Sequence, residues 1–376
     1  MEELLFEIAK QSPTIGILGY WVYSLQGEKK ALTLEIINEV ISEISGIPVC
    51  TVTTDEKSKL CNLKKNIAKK IVSQRQAINA VSNAILKARV GFKDSEKPIG
   101  VFLFLGRTGV GKTLLAKSLS EELFGSDKII RLDMSEYMEK HTISKITGSP
   151  PAYVGYDDSV LICEAVKKKP YSVILLDEIE KAHKDVLNVF LQIFDEGKLT
   201  DSHGRKVDFR NTIIIMTSNL GTAGIDKQKT LGFQIQKDDV AQKNIDEFLR
   251  KKVQEYFNPE FINRIDQIVI FNKFNSEEIR EVFEIEWSKT IKRIEENGYL
   301  VTISEKAKDF LCRKGYDEKY GARPMIRAIS TYIETPLAEK IFSDEFQDNF
   351  VVSIGYDESS DSLKFNVGEK NGIATV

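Results

Sequence analysis

A chain of 376 residues, 42% of them hydrophobic, can bury one large core and a second, smaller one. Its formal net charge of -3, with charged residues at 29%, carries no global basic signature and argues against a nucleic-acid partner. Cys50, Cys61, Cys163 and Cys312 form no CxxC pair and only 3 histidines are present, so neither a zinc site nor a disulfide framework is expected, and a reducing compartment is the simplest setting.

Residues 1–57 read as a lead-in. The apolar stretch from Ile15 to Tyr23 is too short to span a bilayer and no cleavage pattern follows it, so no membrane association is predicted. A helical pattern runs from Thr33 to Ile44, Gly46-Ile47-Pro48-Val49 ends it, and the polar run Thr51 to Lys57 reads as a linker. From Leu60 to Val90 apolar residues recur at helical spacing, which predicts two helices with Ile71-Val72 between them.

Val101-Phe102-Leu103-Phe104-Leu105 then reads as a buried strand. It runs into Gly106-Arg107-Thr108-Gly109-Val110-Gly111-Lys112-Thr113, with Leu114-Leu115-Ala116-Lys117 opening a helix. Strand, glycine-rich turn and helix start, in that order, are the context a phosphate-binding P-loop requires. Glycines let consecutive backbone N–H groups face the phosphates, and the helix adds its positive end. Lys112 is expected to reach the β and γ phosphates of ATP, and the Thr113 hydroxyl to complete a Mg²⁺ shell.

Ile129 to Asp133 reads as a second strand, with Ser135 capping a helix that follows. Tyr171 to Leu176 is an apolar run ending in Asp177-Glu178, as a central parallel strand would before its carboxylates emerge. Asp177 fits the role of holding Mg²⁺ through water and Glu178 that of polarising the attacking water; an acidic pair here also suits a plain helix cap. Lys198 to Lys206 reads as a polar turn. Thr212 to Asn219 is a third strong strand, whose tip residue Asn219 suits either a water-orienting or γ-phosphate-sensing role or a turn. This alternation predicts a parallel αβα sandwich.

Beyond it a short apolar run, Gln267 to Phe271, leads into helices over Ser276 to Glu296, Lys306 to Lys314 and Pro324 to Phe342. Asn349 to Ile354 suggests an edge strand, and Leu363 to Val367 alternates like another within a polar tail. The expected organisation is a lead-in over 1–57, a large nucleotide-binding domain over 58–266, a small, mostly helical domain over 267–355 and a tail over 356–376. No internal repeat is present, so one ATPase module is expected.

Leu132-Asp133-Met134-Ser135-Glu136-Tyr137, Asp177-Glu178-Ile179-Glu180-Lys181-Ala182-His183, Leu199-Thr200-Asp201-Ser202 and Met216-Thr217-Ser218-Asn219-Leu220-Gly221 add specific motifs. With them the chain, from about Asn38 to Ile354, resembles the second ATPase module of the Clp unfoldases, a branch of the AAA+ superfamily, and within it the ClpC type. The resemblance implies that Asn219 is the sensor beside the γ-phosphate and that Ile71 and Val72 pack on adenine. It also implies that Arg264, in Asn258-Pro259-Glu260-Phe261-Ile262-Asn263-Arg264, is an arginine finger reaching a neighbouring subunit, and that Arg323, in Gly321-Ala322-Arg323-Pro324, is the second sensor. A finger supplied in trans makes hydrolysis depend on an oligomer, and the assembly implied is a hexameric ring.

Ser149 to Tyr156 resembles the loop lining the axial pore, with Tyr153 matching the aromatic that grips a threaded polypeptide; His203-Gly204-Arg205 lies where the family has a secondary pore loop. Leu231-Gly232-Phe233 stands where relatives that dock on the peptidase ClpP carry a hydrophobic-Gly-hydrophobic tripeptide, although a buried loop anchor is the competing reading. Thr33 to Val49 resembles the end of a first module, so the chain is expected to be a separated C-terminal portion, set in a plastid stroma or alternatively a bacterial cytoplasm. Arg107 replaces the family's common proline, Ser73 a glycine beside the adenine pair, and Ala152 the glycine before Tyr153. The implied function is ATP-driven protein unfolding. The rival is a non-hydrolysing ring scaffold that pairs with a separately encoded first-module Clp chain.

Overall fold

The computed structural model describes residues 54–125, 128–147, 162–201, 204–222, 224, 238–317, 320–343 and 350–369. The apolar stretch Ile15 to Tyr23 and the helix expected over Thr33 to Ile44 lie outside the described residues. Every residue of β1 (Gly100–Leu105) is buried, because the strand sits inside a sheet covered on both faces. Among the described residues that sheet has five strands, in the order β2 (Ile129–Asp133), β3 (Val173–Asp177), β6 (Ile213–Ser218), β1 and β7 (Gln267–Ile270), each paired parallel to its neighbours.

Alternate residues face opposite layers. Val101, Leu103, Leu105, Ile174, Leu176, Ile214 and Met216 pack against Phe190 and Ile193 of α5 (Lys184–Glu196) and Leu249 and Val253 of α6 (Asp238–Tyr256). Phe102, Phe104, Leu175, Ile213 and Ile215 pack against Leu63 and Ile67 of α1 (Thr54–Lys70), Val81 of α2 (Arg75–Arg89) and Leu115 and Leu119 of α3 (Lys112–Leu123). Each such side chain withdrawn from water contributes roughly 1.5–3 kcal/mol. The register sets Leu105 beside Ser218 and Leu176 beside Met216, so the chain leaves β1, β3 and β6 at one common edge. That edge is where a parallel sheet gathers its functional groups.

The C-terminal region is smaller. The capping box of Asn275 and Glu278 starts α8 (Ser276–Glu296), which packs with α9 (Glu305–Gly315), α10 (Pro324–Ile329) and α11 (Thr335–Phe342) around Phe283, Trp287, Phe310 and Met325. Val352 and Ile354 join that core from the middle strand of a sheet ordered β10 (Ser362–Glu369), β9 (Phe350–Asp357), β8 (Leu300–Ile303) among the described residues. No helix among the described residues is long and apolar enough to cross a membrane.

Five local expectations differ from what forms. The run from Gln267, expected to open the small domain, is the edge strand of the large sheet, because its residues pair with Phe102 to Leu105 before the chain enters α8. The polar turn over Lys198 to Lys206 is an antiparallel hairpin of β4 (Lys198–Thr200) and β5 (Lys206–Asp208), which bury Leu199 and Val207. Asp133, not Ser135, caps the turn Met134–Tyr137, which is a single 3₁₀ turn. The helix expected over Pro324 to Phe342 widens into a π turn at Ser330–Glu334, just before Pro336, whose missing N–H breaks the ordinary bond ladder. The edge strand expected near Asn349 to Ile354 is instead the centre of its sheet, because Leu363 to Val367 lies within β10, which pairs along its open side.

Candidate functional site

The P-loop turns at the β1 tip and hands directly into α3, as its sequence order requires. Lys112, the first residue of α3, is buried, and its ammonium donates to the carbonyl oxygens of Gly106 and Arg107 and, at 2.7 Å, to Oδ1 of Asn219. Burial pushes that ammonium down to about 8, against the opposing pull of Glu180, Asp177 and Glu178. Gly109 holds φ at 75° and lies so close to the Tyr320 carbonyl that any Cβ would collide with it. The reciprocal contact comes from Gly321, and the Ala322 N–H donates to the Gly109 carbonyl at 3.3 Å. The P-loop is thereby clasped by the turn that leads into α10.

Asp177 and Glu178 stand at the β3 tip. The Thr217 hydroxyl on β6 donates to Oδ1 of Asp177 and accepts the Glu178 N–H at 3.2 Å, which ties the two strand ends together. The second Asp177 oxygen accepts from Arg131 of β2 at 2.7 Å. Glu178 adopts φ 55°, a left-handed conformation that costs a side-chain-bearing residue about 1 kcal/mol and recurs at functional sites.

These groups open onto one cavity of about 560 Å³. Thr108 to Leu114 form its floor, Asp177, Glu178, Thr217, Asn219 and Arg131 one side, and Ile71 and Val72 another. Val282, Ile285, Ala322, Arg323 and Ile326 close it from the C-terminal region. Gly106 and Arg107 lie behind the floor and give their carbonyls to Lys112. Ile71 and Val72 are held in the α1–α2 turn by buried Gln74, whose amide donates to the Asn272 carbonyl at 3.0 Å and accepts the Asn272 N–H at 3.1 Å. Ser73, in that same turn, takes φ 69°.

Arg264 is not brought to this cavity. It follows α7 (Pro259–Ile262) and pairs with Asp195 at the end of α5 and with Glu260 at 2.8 Å. Arg205, near the hairpin turn, pairs at 2.8 Å with the buried Asp201, which also meets Lys167 of α4 (Ile162–Lys168) at 3.1 Å. His203, the loop bearing Tyr153, and Leu231-Gly232-Phe233 lie outside the described residues. Sequence reasoning gave no site role to Arg131, Thr217, Glu180 or Gln74. Only Glu180 had a local signal, as the third acidic residue after an apolar strand.

Residues 97–268 match the family described as AAA domain (Cdc48 subfamily), and residues 274–354 the family described as the C-terminal, D2-small domain of ClpB protein. The chain is 44% identical over 351 residues to the ATP-dependent Clp protease ATP-binding subunit ClpC of Staphylococcus aureus (strain USA300), covering 93% of this chain and 43% of that protein. It is 47% identical over 336 residues to the chaperone protein ClpB of Aquifex aeolicus (strain VF5), covering 88% and 33% respectively. A closed-state cryoEM reconstruction of Hsp104 with ATPγS and FITC casein shares the fold with a TM-score of 0.75 at 38% identity, over 88% of this chain and 56% of that one. The chain spans less than half the length of the curated relatives it matches. With its parallel sheet, P-loop and small C-terminal region all accounted for, the chain belongs to the Clp family of AAA+ proteins and is homologous to the second ATPase module of ClpC and ClpB.

Proposed function

We propose that this chain binds ATP with Mg²⁺ and hydrolyses it to pull polypeptide through a ring of its own copies. The observation that carries the reading is the convergence of Lys112, Asp177, Glu178, Asn219 and Arg323 on a single cavity walled by Ile71 and Val72. The donor set suits a hard, oxygen-seeking cation, since the Thr113 hydroxyl and the Asp177 carboxylate line the same space as the P-loop. Thr113 and Asp177 would hold Mg²⁺ beside the nucleotide, where its charge would offset that of the phosphates.

The remaining work belongs to the chain. Lys112 neutralises charge on the terminal phosphates, Glu178 takes a proton from the attacking water, and Asn219 orients that water or the γ-phosphate. Ile71 and Val72 pack on the base, and Arg323 reads the phosphates from the C-terminal region. Arg264 leaves its pairing with Asp195 and Glu260 to complete a neighbouring copy's site, so the ring, hexameric by family resemblance, is required for turnover. Closure of the small region over nucleotide moves the Tyr153 loop and its grip on substrate.

The relatives support this reading: one is an ATP-binding subunit of a Clp protease, one is a chaperone, and the Hsp104 reconstruction contains ATPγS and casein. Coupling to a ClpP-type peptidase through Leu231-Gly232-Phe233 and a plastid stroma or bacterial cytoplasm as the setting belong to the same proposal; pairing with a separate first-module chain belongs to the rival scaffold. ATP turnover measured against protein concentration tests it. Turnover that rises cooperatively and vanishes in Glu178→Gln and Arg264→Ala is expected; ATP binding without turnover in the folded wild-type protein would favour the non-hydrolysing scaffold.

A further inference from the structure

Glu180 lies two residues beyond Glu178, on the 3₁₀ turn Ile179–Lys181. Its Oε1 accepts the backbone N–H of Asn219 at 3.1 Å, while Oε2 is buried with no hydrogen-bond partner among the described residues. The turn itself is pinned. The Lys181 N–H donates to the Glu178 carbonyl at 2.8 Å, and the Tyr256 hydroxyl at the end of α6 donates to the Glu180 carbonyl. Asn219 then accepts from the Lys112 ammonium at 2.7 Å. A continuous run of bonds therefore links Tyr256, the Glu180 turn, Asn219 and Lys112.

We propose that Glu180 is a positioning residue that fixes the main chain at Asn219, so that the Asn219 amide and the Lys112 ammonium meet the terminal phosphate together, with Tyr256 anchoring the turn that carries it. The inference rests on the nucleotide reading above. Asn219 is one residue past the end of β6, and the carboxylate of Glu180 gives its N–H a charge-assisted bond, roughly twice as strong as a neutral one. The same carboxylate is the foremost of the three that draw charge onto Lys112. Loss of the bond frees Asn219 to shift, and Lys112 loses the acceptor that aligns it. Misplacement on the order of 1 Å costs up to about 100-fold at a reacting centre. Because Asn219 meets the γ-phosphate that only a triphosphate carries, while Lys112 also reaches the β-phosphate that ADP keeps, the effect falls more heavily on triphosphate than on diphosphate.

The full chain is tested by displacement of a fluorescent nucleotide with ATPγS and with ADP, alongside ATP turnover and thermal melting. Glu180→Ala is expected to lower the ATPγS-to-ADP affinity ratio by about fivefold or more, with ADP affinity held within about twofold; the isosteric Glu180→Gln keeps an oxygen for the Asn219 N–H and restores most of the ratio. Tyr256→Phe moves the ratio the same way by a smaller factor. An unchanged ratio in Glu180→Ala, a Gln variant as impaired as Ala, or equal weakening of both nucleotides together with a lower melting temperature would each overturn the assignment. Wild-type protein that binds neither nucleotide would remove the reading of the site and this inference with it. Wild-type binding with a ratio insensitive to Glu180 removes the inference alone.

Discussion

The clasp between the P-loop and the Tyr320–Arg323 turn makes Gly321→Ala an informative change. At φ 60° an alanine pays the left-handed conformation, about 1 kcal/mol. Its Cβ would also stand 2.8 Å from the Thr108 carbonyl oxygen and 2.9 Å from that of Gly109. Both obstacles are backbone and cannot rotate aside, so the turn and the P-loop must part by some tenths of an ångström. That stretches the Ala322 N–H to Gly109 carbonyl bond, already 3.3 Å long and worth about 0.5–1.5 kcal/mol. Together these cost the clasped arrangement about 2 kcal/mol; with the clasp open in the free variant, nucleotide must restore it, and binding weakens by up to roughly 30-fold at 1.4 kcal/mol per decade. Gly298→Ala is the control: its φ is 89°, with no heavy atom within 4 Å of the added carbon, so it carries the conformational cost without the collision. Calorimetric titration with ATPγS and thermal melting of both variants separate the two terms. Affinity within twofold of wild type in Gly321→Ala, or an equal loss in Gly298→Ala, would refute the argument that backbone contact with the C-terminal region shapes the nucleotide site.

Two further outcomes follow from the same geometry. Ser73→Gly relieves the φ 69° turn between α1 and α2 at the expense of a looser unfolded chain, and is expected to stabilise the protein by up to about 1 kcal/mol in urea denaturation; a net loss would show that the serine side chain holds that turn. Lys112 has an ammonium lowered to about 8 and phosphates bind its protonated form, so nucleotide affinity should fall as pH rises past that value, by up to about tenfold per unit. Constant affinity from pH 7 to 9.5 would show either that burial does not lower the ammonium or that its charge contributes nothing to binding.

The groups legible in the sequence were those whose chemistry is local. A parallel strand covered on both faces must be apolar throughout, so Val101 to Leu105 and Val173 to Leu176 announced themselves, and the turn glycines and the carboxylates at the strand tips followed in order. β4 and β5 were illegible because three residues each leave one buried side chain apiece, too few for an alternation. The strand at Gln267 is only slightly longer and has one fully buried residue, so its place in the sheet emerges only from its register with β1. Gln74 and Asn272 are 198 positions apart, and no spacing rule connects them. Arg131 reads as an ordinary strand residue until β2 is laid beside β3, which sets its guanidinium on Asp177. The roles of Arg264, Ile71 and Val72 came from resemblance alone. Of these, the two apolar residues line the cavity, whereas Arg264 lies on another face beside Asp195.

The walls of the cavity come from widely separated parts of the described chain, beginning at Lys70 and ending at Ile326. During synthesis these walls emerge in that order: the α1–α2 turn first, then the P-loop, the tips of β3 and β6, and last Arg323 and Ile326. A nascent chain that has completed its five-stranded sheet still lacks the final wall and the clasp on Gly109. Nucleotide therefore selects a chain folded through Ile326 over any shorter intermediate, and its stabilising effect, which grows with concentration relative to the dissociation constant, begins only once that part of the C-terminal region is in place.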